Sequence, residues 1–153
     1  DRPIFWGGSS LEDICDFPTT ARQRAGFELS LVQSGAMPSD WKAMPVVAGG
    51  VYEIRVHTER EIRVLYAANF AEGLYVLHAF ETRSRRTRRH DIEWARKRYG
   101  DVVRDRKSGS KSEEGSRGRS VTRRRQRATL LEMSLATWAF APKRRSTFAF
   151  VRS

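Results

Sequence analysis

The stretch VYEIRVHTEREIRVLY, Val51 to Tyr66, decides the fold. Tyr52, Ile54 and Val56 alternate with Glu53, Arg55 and His57. After a polar turn, Ile62, Val64 and Tyr66 alternate with Glu61, Arg63 and Leu65. Successive side chains of a strand point to opposite faces, so this is a β-hairpin with its even-numbered residues toward a core. Directly opposed residues share a face, so even must pair with even. A turn centred on Glu59 meets that condition: Val56 meets Ile62, Ile54 meets Val64 and Tyr52 meets Tyr66. The same register sets Arg55 opposite Arg63. Like charges directly opposed across strands cost roughly 0.2–1 kcal/mol. Glu53 and Glu61 neutralise the pair on their shared face, or both arginines splay into water, or the two guanidiniums form a cleft for an anion. The anion that suits them best is a phosphate gripped bidentately.

Working outward, a third strand is expected at about 73–81, with His78 sharing the parity of Leu74, Val76 and Phe80. Upstream, PIFW (3–6) makes a short strand ending at Gly7-Gly8. Ser9 or Ser10 caps a helix with Glu12 and Asp13 in its first turn. Leu11, Ile14 and Cys15 form its inner stripe. Pro18 interrupts that helix, and Thr19 or Thr20 starts a second one, reaching about Ser34. Its inner face is Ala21, Ala25, Leu29 and Val32, and Gly35 closes it. Residues 37–50, with Pro38, Pro45 and Gly49-Gly50, read as a loop. A last helix starts between Thr87 and Asp91, with Ile92, Ala95 and Tyr99 on one side. The order β-α-α-β-β-β-α predicts an α+β domain, a small antiparallel sheet with its helices packed on one face.

The 153 residues are enough for one domain with a core, and 39% of them are hydrophobic. One cysteine, Cys15, excludes an internal disulfide framework. No apolar run is long enough to span a bilayer and no signal pattern opens the chain, so a cytoplasmic protein with no membrane partner is expected. The net charge of +11 is unevenly spread. Residues 107–153 hold 12 Lys/Arg against 3 Asp/Glu, while residues 1–106 hold 17 against 15. Within the first part the basic residues concentrate in RSRRTRR, 83–89, which has no acid. Such a block is a solvated face or an interaction segment.

Six short stretches, in order and at matching spacing, carry a likeness. They are FELSLVQSG (27–35), DWKAMP (40–45), GVYEIRV (50–56), IRVLY (62–66), YVLHAF (75–80) and DIEWARKRY (91–99). Together they resemble the RelE/ParE superfamily of type II toxin–antitoxin toxins, in its phage-derived HigB-like branch, over about residues 3–100. The resemblance implies an mRNA endoribonuclease (an mRNA interferase) that works in the ribosomal A site and is held in check by a cognate antitoxin. The RNA 2′-hydroxyl attacks the adjacent phosphate, basic side chains stabilise the phosphorane, and the 5′-oxygen leaves. No metal or other cofactor is implied.

By position, Arg63 matches the strand arginine that holds the scissile phosphate, and Arg55 a basic position on the neighbouring strand. Arg83 falls where relatives carry a basic residue after HAF. Relatives often carry two lysines there, whereas this chain has Thr82 and Arg83. Arginine does not titrate in the useful range, which leaves the general acid open. His78 is a candidate for it and equally a buried structural histidine. Lys42, His57, Arg85 and Arg86 are candidates for RNA contact. Trp41 and Trp94 are read as packing residues rather than stacking platforms.

From residue 107 the texture changes. KSGSKSEEGSRGRSVTRRRQR has no hydrophobic periodicity, so 107–127 reads as disordered and the apolar end as poorly packed. Residues 132–153, back-translated from the G of a CTG codon for Leu131, can read GNVFGDLGFRPEEAEHLRIRS in the shifted frame. That resembles the start of a HigA-like helix-turn-helix antitoxin. The division expected is therefore a toxin domain, 1–106, and a basic tail, 107–153, read through out of frame into an antitoxin gene. The rival readings are a basic nucleic-acid-binding arm for the tail and, for the whole chain, a non-enzymatic ParE-like gyrase poison or an inactive prophage remnant.

Overall fold

The computed structural model describes residues 1–111 and 127–128. In chain order the elements are β1 (Ile4–Trp6), α1 (Ser10–Asp16), α2 (Thr19–Gln33), β2 (Trp41–Ala43), β3 (Val51–His57), β4 (Glu61–Phe70), β5 (Gly73–Thr82), α3 (Arg89–Lys111) and a two-residue β6 (Arg127–Ala128). They build one sheet in the order β2-β3-β4-β5-β1-β6, an α+β architecture. The β3–β4 hairpin has the register deduced from its alternation: Tyr52 with Tyr66, Ile54 with Val64, Val56 with Ile62 and Arg55 with Arg63.

The even positions of this hairpin are buried beneath α1 and α2. Ala21, Ala25, Leu29 and Val32 of α2, with Ile14 of α1, share one apolar cluster with Ile54, Val56, Ile62, Val64 and Tyr66. Each fully buried Leu or Ile there is worth about 1.5–3 kcal/mol. Gly35 ends α2 with φ +86, and its N–H donates to the Val32 carbonyl at 3.1 Å. That left-handed geometry favours glycine. Leu11 and Cys15 of α1 are only partly buried, so Ile14 does most of that helix's packing.

Four expectations are corrected. Helices cover both faces of the sheet, because Ala95 and Val102 of α3 pack on Val51, Leu65, Ala67, Phe70, Tyr75, Leu77 and Phe80 in a second cluster. The run Val64 to Ala67 is apolar at every position, as a strand buried on both faces must be. The sheet is mixed, since β1 runs parallel to β5, with Ile4 beside Leu74 and Trp6 beside Val76. Gly73 allows this close approach: a Cβ there would lie 2.4 Å from the Pro3 carbonyl oxygen. Residues 41–43, read as loop, form an edge strand paired to β3. Finally, α3 runs on to Lys111, past the boundary expected at 106, and Arg127–Ala128 pairs antiparallel with β1. The rest of the segment expected to be disordered or poorly packed lies outside the described residues.

A bulge in β5 matters for the site. Leu65 pairs with His78 but Tyr66 with Val76, which leaves Leu77 without a partner on β4. Parity reverses there. His78 leaves the face of Leu74 and Val76 and joins Leu65 and Phe80 on the α3 side, its ring stacked 5.1 Å from that of Phe80. No helix among the described residues is long and apolar enough to cross a membrane.

Candidate functional site

The α3 face near the hairpin tip carries the polar residues of β2 to β5. Cross-strand pairing lays them out in rows: Lys42–Glu53–Leu65–His78, then Arg55–Arg63–Phe80, then His57–Glu61–Thr82. Each row is set by the register of the apolar face behind it.

Arg63 is the floor of this array. It is only 5% exposed, and its Nη1 has no hydrogen-bond partner among the described residues. Its Nη2 lies 3.9 Å from Glu61, a long contact for an ion pair. A buried guanidinium with an unmade N–H is costly unless something else occupies that direction. Arg55 is partly exposed and differs, since its Nε donates to Glu53 Oε1 at 3.2 Å. One carboxylate of the face does neutralise one arginine of the pair.

Glu53 is 1% exposed and reaches further. Its other oxygen accepts a hydrogen bond from the Thr87 hydroxyl. That contact docks the loop between β5 and α3 beside Arg55. The loop is the basic block: Arg83, Arg85, Arg86 and Arg88 are all exposed. Its start is shaped by Thr82, whose hydroxyl accepts from the Ser84 N–H at 3.0 Å. Arg83, Arg85 and Arg86 thus stand on one loop pinned next to the arginine pair, and Lys42 stands exposed on the edge strand in line with Glu53.

His78 is held from both sides. Its Nε2 lies 2.8 Å from Asp91 Oδ1, and its Nδ1 lies 3.2 Å from Arg98 Nη1. Arg98 can only donate, so Nδ1 is the acceptor and Nε2 carries the hydrogen. With both nitrogens engaged, His78 ties α3 to the sheet. Arg98 also donates to the Leu77 carbonyl at 2.8 Å and to Ser9 Oγ at 3.1 Å.

His57 is exposed on the same face as the arginines. Its Nδ1 lies 2.8 Å from Glu61 Oε2, and its Nε2 2.7 Å from Asp40 Oδ2. Asp40 is brought there by the loop after α2. Buried Glu28 accepts the Ser39 N–H at 2.7 Å, and the Asp40 carbonyl accepts the Arg55 N–H at 2.9 Å. The bond to Asp40, and then that to Glu61, raises the His57 pKa above its ordinary 6.5, outweighing the small loss of hydration.

Sequence reasoning missed Asp91, Arg98, Thr87 and Asp40. Asp91, Ala95, Arg98 and Val102 lie on the spacing of one helix face, so two charged residues on an inward stripe were the signal for the first two. Trp41 and Trp94, expected to pack, are 42% and 47% exposed. Trp94 carries the side chains of Lys97 and Arg98 over its ring at 5.1 and 5.3 Å, and Trp41 meets Tyr52 edge-on.

The family model described as phage-derived protein Gp49-like (DUF891) matches residues 12–100. The chain belongs to that family. It is a RelE-like, toxin-type family. The matched span runs from α1 into α3 and contains every row of the array and the basic loop. No curated protein and no solved structure matches the chain.

Proposed function

We propose that this protein is the toxin of a type II toxin–antitoxin pair, of HigB type, and that it cleaves mRNA on the ribosome. The observation that carries this reading is Arg63, a buried guanidinium opposite Arg55 whose Nη1 has no hydrogen-bond partner among the described residues. It lies beside a loop that exposes Arg83, Arg85, Arg86 and Arg88. Such an array suits a phosphodiester better than any neutral ligand. Arg63 and Arg55 hold the scissile phosphate and stabilise the charge that develops on it. Arg83, Arg85, Arg86 and Lys42 grip the flanking backbone. The attack is internal, so no metal or cofactor enters: the 2′-oxygen bonds to phosphorus, the P–O5′ bond breaks, and the products are a 2′,3′-cyclic phosphate and a 5′-hydroxyl.

The toxin works in the cytoplasm and is neutralised by a helix-turn-helix antitoxin of HigA type. The toxin domain is taken as 1–106, with the last turn of α3 overrunning that boundary, and the tail as readthrough. Sequencing the locus tests the tail reading, which fails if no downstream frame encodes the antitoxin.

The functional test is induced expression of the full chain and its Arg63→Ala variant in a bacterial host, with mapping of mRNA 5′ ends. The expected result is growth arrest and new 5′-hydroxyl ends within translated messages for the first chain only. Arrest with intact messages and broken DNA would place the protein among gyrase poisons instead.

A further inference from the structure

The ribonuclease reading leaves two proton transfers unassigned. The attacking 2′-hydroxyl must lose a proton and the departing 5′-oxygen must gain one. Arg55 and Arg63 do neither, because a guanidinium stays protonated. The His78 side chain is only 12% exposed, against 55% for that of His57, and it is held between Asp91 and Arg98. The row beside the arginine pair holds a different kind of pair. His57 and Glu61 face each other across the hairpin, one row from Arg55 and Arg63 on the same side of the sheet.

We propose that Glu61 is the general base and His57 the general acid of phosphodiester cleavage, with Asp40 as the positioning residue that holds the imidazole ring. The assignment rests on the ribonuclease reading above.

The geometry fits these roles. Both ring nitrogens of His57 lie within 2.9 Å of carboxylate oxygens. A carboxylate only accepts, so both nitrogens carry hydrogen and the ring is the imidazolium, a loaded proton donor. Its side chain is 55% exposed, and that of Glu61 41%, so both are open to an RNA strand. Glu61 also reaches toward Arg63 Nη2, which places the base at the edge of the phosphate site. Among the described residues, Asp40 before β2 and Glu61 from β4 meet the ring, and Arg55 and Arg63 stand on the adjacent row of the same face. Arg60 in the turn is engaged by Glu81 at 2.9 Å.

The step balances. Glu61 takes the 2′-hydroxyl proton as the O2′–P bond forms. The P–O5′ bond breaks, and the leaving oxygen takes the proton from His57 Nδ1, while Nε2 keeps its bond to Asp40. The products leave Glu61 protonated and His57 neutral. Because these two groups share a hydrogen bond in the resting enzyme, the proton passes from Glu61 to Nδ1 and restores the starting state.

The test uses the full chain on bacterial ribosomes programmed with a synthetic mRNA. One substrate is all-oxygen, and the other carries a bridging 5′-sulfur at the mapped cleavage bond. A thiolate leaves without a proton. At neutral pH, H57Q should cut the all-oxygen mRNA about 10²-fold or more slowly and the sulfur-bridged mRNA within about threefold of the unsubstituted chain. E61Q should be slow on both. The rate of the unsubstituted chain should rise and then fall with pH, and H57Q should lack the fall. D40N should move that fall to lower pH. Equal slowness of H57Q on both substrates, or near-normal rates on the all-oxygen one, overturns the assignment and leaves the ribonuclease reading standing. If the unsubstituted chain cuts neither substrate, the ribonuclease reading and this assignment fall together.

Discussion

The two faces of the sheet are built from alternate residues of the same strands, yet they are chemically unlike. Beneath α1 and α2 the strands contribute Ile54, Val56, Ile62, Val64 and Val76, an unbroken apolar layer. Beneath α3 the same strands bury Glu53 and Arg63, and His78 there meets Asp91. A protein that needed only stability would not bury charge on a surface it could fill with Leu or Val, since such groups gain little over well-packed apolar residues. The first face fixes the register, and the register delivers the second face its arginine pair.

Substitutions can break or sharpen this contrast. The largest loss of stability is expected on the apolar face. Ile54→Ala or Leu29→Ala should lower the unfolding free energy by about 2–5 kcal/mol in urea titrations, with cleavage per folded molecule unchanged. On the other face, Asp91→Ala strips His78 and should cost about 1–3 kcal/mol, again without altering the rate of the folded fraction. If that rate collapses while the fold holds, His78 belongs to the chemistry after all. Thr87→Val removes the hydroxyl that docks the basic loop on Glu53. About 1 kcal/mol of stability is at stake, and the clearer readout is a weaker grip on RNA that worsens as salt rises.

The smallest effects are those of pH, and they run in opposite directions at two ion pairs. His57 is raised above 6.5, so its contribution to stability is fully present below that value and is lost as pH climbs through the raised one. Glu72 is lowered from 4.5, chiefly by its hydrogen bond with Arg106, so its contribution is present above 4.5 and is lost as pH falls through the lowered value. Glu72→Gln should flatten the acid side of the stability curve, and His57→Gln the alkaline side, in melting curves taken across the pH range.

The hairpin was legible because its alternation allows one register, and α2 because its apolar residues recur at helical spacing. The placing of α3 on the opposite face was not read, although Leu65 and Ala67 carried the signal by breaking the alternation. Strand β2 is three residues long between two prolines, too short for periodicity to register. The reversal at Leu77 is invisible in sequence, because a bulge costs one unpaired residue and leaves composition unchanged. Of the site, Arg55 and Arg63 could be deduced from register alone. The same register sets His57 opposite Glu61, but Asp40, Asp91 and Arg98 could not be read, since they meet the two histidines across long stretches of chain. The anchor of Glu72 on Arg106 likewise depends on α3 running back along the sheet.

The most direct test of why Arg63 is buried is a paired measurement on Arg63→Met in the full chain: urea stability and the rate of mRNA cleavage on programmed ribosomes. If the guanidinium is kept for a phosphate, stability should hold within about 1 kcal/mol, or rise, while cleavage falls about 10²–10³-fold. A loss of several kcal/mol with cleavage per folded molecule intact would make Arg63 a structural residue and remove the foundation of the site.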